Sequence, residues 1–498
     1  MSLLSLTDGV VPNGALVLGL SFNPNKESAL NIESGNLTVD TKTLLAHLKE
    51  LGATGKADEI IKIPGTKTKL IVFTGLGAVQ KEFAHETLRR AAGSAARSLS
   101  GTSEATFALP ATSIEAVAAI AEGAALGAYA FDEFRGSTKS ERKLPLGKIV
   151  VYSKFSKKIE AKNALKRAHV IAQYTHLVRD LINTPPSHLT PDTFTKKVAA
   201  AVKSLGGASA GLKVTVLNEK QLKSGGYGGI IGVGQGSANP PRLLHIKYTP
   251  KKPIRTFALV GKGITFDTGG LALKPAAGME AMKSDMSGAA AVCGAILAIA
   301  ALKIPVAVEA WAPLAENMVS DNATRPSDII TIYGGKTVEV LNPDAEGRLV
   351  LADALVKAQE TKSLDGVIDV ATLTGAQVVA LGTRTSAVMT NNEDFSSRFI
   401  SAASQSGEAF WPMPLPQELR ASLDSPVADL ANIGDRMGGM LVAGLFLKEF
   451  IKPEVPWLHL DIAGPAYNES AAHGYTPVGG TGVALRTLLC LVENSTIR

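Results

Sequence analysis

Four acidic side chains lie where one apolar segment of the sequence ends and another begins. Two of them, Asp344 and Glu346, precede an apolar run that predicts a buried helix, and the other two are Asp267 and Asp285. Burying unpaired carboxylates in apolar surroundings is prohibitively costly. These side chains must therefore be protonated, paired with cations or bound to metal.

Cationic side chains occur near these acids in the sequence, at Lys262, Lys274 and Arg348. Three cations cannot pair with four carboxylates, so pairing alone does not explain the pattern. Carboxylates with few histidines and no thiolates are typical of a hard-ligand site for Mg, Mn or carboxylate-bound Zn. Four acids can hold two ions if some of them bridge, and paired ions about 3.5–4 Å apart commonly activate a shared water for hydrolysis.

Each of these residues also has a simpler explanation when it is considered alone. Asp285 could cap a helix, Asp267 could occupy a turn and Lys262 could be a surface lysine. The joint pattern favours the metal site. The sequence has no H-E-x-x-H motif and only two cysteines, Cys293 and Cys490, which excludes the common single-zinc protease arrangement and a thiolate metal site.

The apolar pattern that must position these side chains predicts two α/β domains. The 498 residues exceed the usual size of one domain, and 45% of them are apolar, which is enough for a large core. We predict a smaller N-terminal α/β domain over 1–160, a connecting helix over 161–184, and a larger catalytic α/β domain over 185–498. Helices should flank a mixed central sheet in the larger domain. Asp267 is expected at the carboxyl end of a strand, where open α/β sheets bind ligands.

Helices are predicted directly after Asp285 and Glu346, and the first of them contains the run GAAAVCGAILAIAAL. This run is short and rich in alanine, so it indicates a buried helix and not a membrane span. The N-terminus lacks the basic region of a signal peptide, and the scarcity of cysteine is typical of a reducing compartment. We expect a soluble cytoplasmic protein with no membrane partner.

The segments that carry these residues resemble those of the leucyl aminopeptidase (cytosol aminopeptidase) family of dinuclear metallopeptidases. NPDAEGR is similar to the N-T-D-A-E-G-R signature of that family. The stretch from VGKGITFDTGG to MKSDMSGAA has the same internal spacing as the family's other metal-binding segment, and NTPPSHLTP, ATLTGA and HLDIAGPA also look like family segments. The resemblance covers roughly residues 180–498, whereas the N-terminal domain matches only in size and α/β character.

The resemblance implies a metal-dependent aminopeptidase with two divalent ions, Zn or Mn, in each subunit. Asp267 and Glu346 would bridge the two ions. Lys262, bound as a neutral amine, and Asp285 would complete the tighter site. Asp344 would complete the more exchangeable site.

The resemblance also implies how substrate is bound and activated. Lys274 would hydrogen-bond the oxyanion of the tetrahedral intermediate, and Arg348 would hold a bicarbonate ion that acts as general base. Met282, Thr372 and Gly375 match positions that line the pocket for the first side chain, where an apolar lining would favour Leu or Met. The substrates would be peptides with a free N-terminus, and the implied assembly is a homohexamer.

One residue departs from the family pattern. Pro343 stands where the family usually has Thr, directly before the predicted ligand Asp344. Proline removes a backbone N–H and fixes φ. The property that this departure would alter is the affinity of the exchangeable metal site.

Two other function classes fit parts of the sequence. The net charge of +6 and the basic stretch SKFSKKIEAKNALKR suggest an additional nucleic-acid-binding role. A solvated face explains the stretch better, because the cations form no compact patch in the sequence. The same carboxylate chemistry would suit a two-metal phosphoesterase, which the family motifs disfavour.

Overall fold

A computed structural model describes residues 2–11, 14–25 and 29–497 of the chain. These residues form two compact units. The first unit contains the residues up to His176 and Glu469–Val478, and the second contains Leu177–Asn468 and the residues from Gly479 onward.

The first unit is an α/β sheet domain. Its strands in the described part of the chain are β1 (Leu3–Thr7), β2 (Ala15–Phe22), β3 (Leu30–Glu33), β4 (Ile60–Pro64), β5 (Leu70–Ala78), β6 (Glu104–Ala108) and β7 (Lys148–Tyr152). Its α-helices are α1 (Thr41–Glu50), α2 (His85–Ser98) and α3 (Ile114–Gly127). The strands form one sheet in the order β1-β7-β6-β2-β5-β4, with β3 paired to β2. Leu18, Phe73 and Phe107 are buried on three of these strands, as the apolar strand pattern requires.

The helix predicted over 161–184 is α4 (Ile159–Asn183), which carries the chain from the first unit into the second. The compact units divide within this helix, after His176. The predicted domain boundaries at residues 160 and 184 stay predictions.

The second unit contains most of the chain. Its strands are β8 (Leu212–Leu217), β9 (Arg242–Tyr248), β10 (Thr256–Gly261), β11 (Gly263–Asp267), β12 (Ala307–Asn317), β13 (Asp328–Thr331), β14 (Thr337–Val340), β15 (Gly366–Ala371), β16 (Ser386–Thr390), β17 (Phe410–Pro412), β18 (Leu430–Ala431), β19 (Trp457–Asp461), β20 (Tyr467–Asn468) and β21 (Gly479–Gly480). Its α-helices are α5 (Pro191–Ser204), α6 (Glu219–Gly225), α7 (Gly228–Gly234), α8 (Ser287–Ala301), α9 (Gly347–Ala358), α10 (Gly375–Leu381), α11 (Glu393–Ser406), α12 (Gly439–Lys448) and α13 (Leu485–Asn494).

A mixed sheet forms the centre of this unit. Its order is β17-β16-β19-β15-β10-β12-β9-β8, with β11 paired to β12, and both parallel and antiparallel pairs occur. β12 is buried along its whole length, which is typical of a strand covered on both faces. Helices α8 and α9 both pack against β10, β12 and β15. The predicted two-domain α/β class with a mixed central sheet flanked by helices is confirmed.

Parallel pairing brings several strand ends to one edge of this sheet. β11, β12, β10, β15 and β19 are linked by parallel pairs, so their carboxyl ends share an edge. Asp267, Asn317 and Asp461 are the last residues of β11, β12 and β19. Open α/β sheets bind ligands at this edge.

Helix α8 is the buried helix that the alanine-rich run predicts. The segment Met279–Ala301 is apolar and long enough to cross a membrane, but 94% of its most apolar window is buried inside the fold. Small residues let α8 lie unusually close to the sheet. A Cβ added at Gly288 would lie 2.0 Å from the carbonyl oxygen of Val370 on β15.

We expect Gly288→Ala to destabilise the protein, because α8 and β15 would have to separate to admit the methyl group. Overpacking of this kind costs about 1–3 kcal/mol in the free energy of unfolding. Chemical denaturation measures the change. Gly439→Ala in α12 is the matched control, since a Cβ there meets only Ala376 Cβ at an ordinary 3.8 Å. Equal free energies of unfolding for the two variants would show that α8 and β15 can separate at Gly288 without loss of stability.

Candidate metal centre

Three of the predicted carboxylates meet at the carboxyl edge of the central sheet. Asp267 ends β11, and Asp344 and Glu346 lie in the turn that precedes α9. Oxygen atoms from all three side chains lie within 4.8 Å of one another. Asp267 and Glu346 are buried and Asp344 is half-buried, so Asp344 is the most accessible of the three.

Lys262 links the fourth carboxylate to this cluster. Glu346 occupies the N-cap position of α9 without capping it by its side chain, and its Oε1 lies 2.8 Å from Lys262 Nζ. The same ammonium group lies 2.9 Å from Asp285 Oδ1 and donates to the carbonyl oxygen of Thr372 at 2.8 Å. The Glu346 carboxylate therefore lies at the start of α9 and makes no hydrogen bond to the helix N-terminus, so it remains available to the cluster.

Lys274 is the second cation of the cluster. Its Nζ lies 2.7 Å from Asp267 Oδ2 and also forms an ion pair with Asp344. Two ammonium groups thus face four carboxylates.

The pKa values of Asp267, Asp285 and Lys262 are all raised in this environment, although burial acts on the acids and the lysine in opposite directions. Burial raises the pKa of Asp267 and of Asp285, and the neighbouring Glu346 carboxylate raises both further. Burial acts to lower the pKa of Lys262, but Asp285 and Glu346 together hold it above its ordinary value. These directions indicate a site with more negative charge than its own cations balance.

The side chains present fit divalent cations. Asp285 Oδ2 is buried and has no hydrogen-bond partner, whereas nearly all buried polar atoms have one. The donor set consists of carboxylate oxygens and one amine, with two more carboxylates than ammonium groups. Hard divalent ions prefer oxygen donors, and a positive ion would satisfy the unpartnered oxygen.

Arg348 lies one residue into α9 and is buried. Its Nη1 donates to the carbonyl oxygen of Asn432 at 2.8 Å. Within the described ranges Arg348 forms no ion pair with the carboxylates, and its buried Nε has no hydrogen-bond partner. Burial lowers its pKa to about 10. Arg348 therefore has an unused donor that an anion could accept from.

The three predicted pocket residues differ in their distance from the cluster. Thr372 Oγ1 donates to Asp285 Oδ1 at 2.8 Å. Met282 lies in the 3-10 turn before α8, and its carbonyl accepts from the backbone N–H of Asp285. Gly375 begins α10, and a Cβ added there would meet no atom within 4 Å. Gly375 is exposed, and its place in a side-chain pocket stays a prediction.

Asn317 is a site residue that the sequence analysis missed. Its Nδ2 donates to Asp267 Oδ1 at 2.8 Å and to the carbonyl oxygen of Pro343 at 3.1 Å. This amide therefore joins the loop after β11 to the loop that carries Asp344. Its place at the carboxyl end of a buried strand was the available signal.

Asn432 is a second missed residue, and it holds the same turn from another direction. Its Oδ1 accepts from the backbone N–H groups of Leu341 and Asn342, and its Nδ2 donates to the carbonyl oxygen of Asn342. Asn432 is fully buried. Its backbone also binds Arg348, so one residue positions both the turn and the guanidinium.

Two glycines let the loop after β11 pass close to the turn at Pro343. Gly269 has φ +88°, and a Cβ there would lie 2.9 Å from Asp344 Oδ1. Gly270 has φ +61°, and its Cβ would lie 3.2 Å from Pro343 Cβ. Both residues need a left-handed backbone that favours glycine. The effect of Pro343 on metal affinity stays a prediction.

Two family models together match most of the chain. The model of the cytosol aminopeptidase family, catalytic domain, matches residues 176–489. The model of the cytosol aminopeptidase family, N-terminal domain, matches residues 19–138. The similarity thus extends beyond the segments whose motifs carried the resemblance.

Curated relatives and solved structures give the same result. A probable cytosol aminopeptidase of Streptomyces griseus is 52% identical over 91% of this chain and 90% of its own length, and that of Streptomyces coelicolor is 48% identical over 99% and 98%. The bottromycin maturation enzyme BotP in complex with Mn has a TM-score of 0.85 and 35% identity, covering 97% of this chain and 100% of its own. A point mutant of tomato leucine aminopeptidase has a TM-score of 0.86 and 31% identity, covering 99% and 97%. The chain therefore belongs to the cytosol aminopeptidase family and is a metal-dependent aminopeptidase.

Proposed function

We propose that this aminopeptidase releases the N-terminal residue of peptides with the help of two divalent cations in the carboxylate cluster. The observation that carries the proposal is the charge imbalance: four carboxylates face two ammonium groups, and Asp285 Oδ2 is buried without a partner. One dication would balance the two excess negative charges. A second would be accommodated with Lys262 bound as a neutral amine and an anion held at Arg348, and Zn or Mn suits this donor set.

We assign the carboxylates to two sites that would share two residues. Lys262 lies within ion-pairing distance of Asp285 and Glu346, which supports a buried site that includes these three residues. Asp344 is the most accessible carboxylate of the cluster, which supports its place at the other site. Asp267 and Glu346 would serve both sites. The buried site would be the tighter one and the Asp344 site the exchangeable one.

Two cations bound there would act as Lewis acids that polarise the scissile carbonyl and lower the pKa of a shared water. Residues of the chain would stabilise the developing negative charge and hold the group that accepts the proton. Lys274 would donate a hydrogen bond to the carbonyl oxygen as it gains negative charge. Arg348 would hold an anion such as bicarbonate through its unused donor, and that anion would accept the proton of the water.

Substrate selection rests on the free N-terminus and the first side chain. Met282, Thr372 and Gly375 would line a pocket for side chains such as Leu and Met, whose burial is worth about 1.5–3 kcal/mol. The free α-amine of the substrate would be a ligand of one of the bound cations, so only the N-terminal residue would be removed.

Assembly and location are further parts of the proposal. We expect a homohexamer, which sedimentation velocity measures directly. We also expect the protein in the cytoplasm, in keeping with the name cytosol aminopeptidase that its curated relatives carry.

Leucyl-p-nitroanilide should be cleaved, and its N-acetyl derivative should not, because acetylation removes the α-amine. A chelator should abolish the activity, and Zn or Mn should restore it. Release of p-nitroaniline measures all of these results. Bis(p-nitrophenyl) phosphate serves as the comparison substrate, and its preferential hydrolysis would favour a phosphoesterase.

Glu346→Ala should lower kcat/KM on the order of 10²-fold or more, because it removes a bridging ligand and not only a supporting contact. Metal analysis of the purified variant should find fewer than two ions. Glu360→Ala, an exposed acid just beyond the other end of α9, should retain activity and metal. Full activity of Glu346→Ala would contradict the assignment of Glu346 as a metal ligand.

Lys274→Ala should lower kcat by about 10²–10³-fold, the usual cost of removing one oxyanion donor, while both metal ions are kept. Steady-state kinetics and metal analysis on the same sample test this. Lys220→Ala, which removes an exposed lysine on α6, is the control. Loss of an ion from Lys274→Ala would instead make Lys274 a positioning residue for the carboxylates.

Asn317→Ala should weaken metal affinity by about 10–100-fold, because it frees both Asp267 and the loop at Pro343 from their shared amide. The metal concentration that restores half of the activity after chelation measures the effect. Asn322→Ala alters an exposed residue in the loop that follows β12 and should change neither activity nor metal dependence. Unaltered metal dependence of Asn317→Ala would remove Asn317 from the site.

A further inference from the structure

Strand β1 leaves one edge of the first unit's sheet without a neighbour. It is the terminal strand of that sheet and pairs with β7 alone among the strands described. The N–H of Leu3 and the C=O of Thr7 bond toward the β7 side. Alternate residues of a strand direct their backbone groups to opposite sides, so Leu4 and Leu6 present theirs at the open edge.

A groove of about 430 Å³ is lined by residues of β1 and by residues of α4. Its strand side consists of Leu4, Ser5 and Leu6. Its helix side combines one apolar residue, Leu165, with the basic residues that line the groove: Lys162, Lys166 and His169.

The groove carries positive charge that the protein does not itself neutralise. Lys162 and Lys166 are exposed, and neither forms an ion pair within the described ranges. They belong to the basic stretch noted in the sequence, where Glu160 is the single acid between Lys154 and His169. The proposed aminopeptidase chemistry makes no use of this stretch.

A second copy of the chain does not suit this edge. Pairing β1 with its own copy would bring two sets of Lys162 and Lys166 together along the groove, and like charges at a sheet edge oppose such pairing. A nucleic acid would match the charge but would leave the N–H and C=O groups of Leu4 and Leu6 without strand partners. An acidic peptide in extended conformation satisfies both features.

We propose that β1 accepts an extended acidic segment of a partner protein as an additional strand of the sheet. Backbone bonds to Leu4 and Leu6 would hold the segment, as in other cases of strand addition. Lys162 and Lys166 are one helical turn apart, about 6 Å along the axis. Side chains two residues apart in a strand are about 6.6 Å apart. Acidic residues at alternate positions therefore match the two lysines.

The test uses the full-length protein and a fluorescein-labelled peptide, acetyl-Thr-Glu-Val-Glu-Val-Thr-amide. The acetyl group denies the aminopeptidase a free α-amine, so the probe is neither cleaved nor drawn to the carboxylate cluster. Fluorescence anisotropy at low ionic strength should show binding. The same peptide with Lys in place of Glu should not bind.

Two variants separate backbone pairing from charge. Leu4→Pro removes an N–H on the open side and keeps the bonds to β7, and it should raise the Kd about tenfold through the lost hydrogen bond. Lys162→Glu with Lys166→Glu should raise the Kd at least as much. Lys251→Glu with Lys252→Glu, which alters two exposed lysines in the loop before β10, should leave it unchanged.

Each variant is folded if its rate of leucyl-p-nitroanilide hydrolysis and its circular dichroism spectrum are unchanged. If Leu4→Pro does not fold, Leu6→Pro takes its place. Absence of peptide binding would overturn the proposal. So would equal binding by a folded proline variant. Binding of a single-stranded oligonucleotide that depends on Lys162 and Lys166 but not on Leu4 would assign the groove to nucleic acid instead.

Discussion

The carboxyl edge of the larger sheet carries more negative charge than its own cations balance, and the arrangement of the surrounding loops and helices in the second unit depends on this excess. Isolated carboxylates cost several kcal/mol each to bury, yet β11 and the turns before α8 and α9 together bring four of them to one place. Lys262 and Lys274 balance only part of this charge. The remaining imbalance makes cation binding favourable, so metal binding and the stability of this edge are coupled.

The residues that hold the cluster in shape are largely neutral, and this follows from the same constraint. Asn317 and Asn432 connect the ligand-bearing loops through amide hydrogen bonds. An amide fixes the orientation of a carboxylate or a turn without neutralising it. Arginine or lysine in these positions would complete the ion pairs and remove the reason for metal to bind.

The sequence predicted the parts of the site that are local, and missed those that depend on distant contacts. Asp267 ends a strand, and helices follow Asp285 and Glu346, because apolar patterning marks strand ends and helix starts within a few residues. The partners of Asn317 and Asn432 lie 26 to 91 residues away, and no local pattern encodes such pairs. For the first unit the sequence analysis predicted only the α/β pattern and identified no catalytic residues. Its membership of the family rests on the family model that matches residues 19–138.

Lys262 and Asp344 are anchored in different ways. The backbone of Lys262 donates to Val370 on β15 and accepts from the N–H of Ala289 at the start of α8, so strand, strand and helix are joined directly. Asp344 stands on a turn that side-chain amides hold. The position of Asp344 therefore depends on side-chain amides, whereas the position of Lys262 depends on backbone hydrogen bonds that a substitution of its side chain leaves in place. A substitution of Asn317 or Asn432 would thus alter the exchangeable side of the cluster and leave the backbone bonds at Lys262 in place.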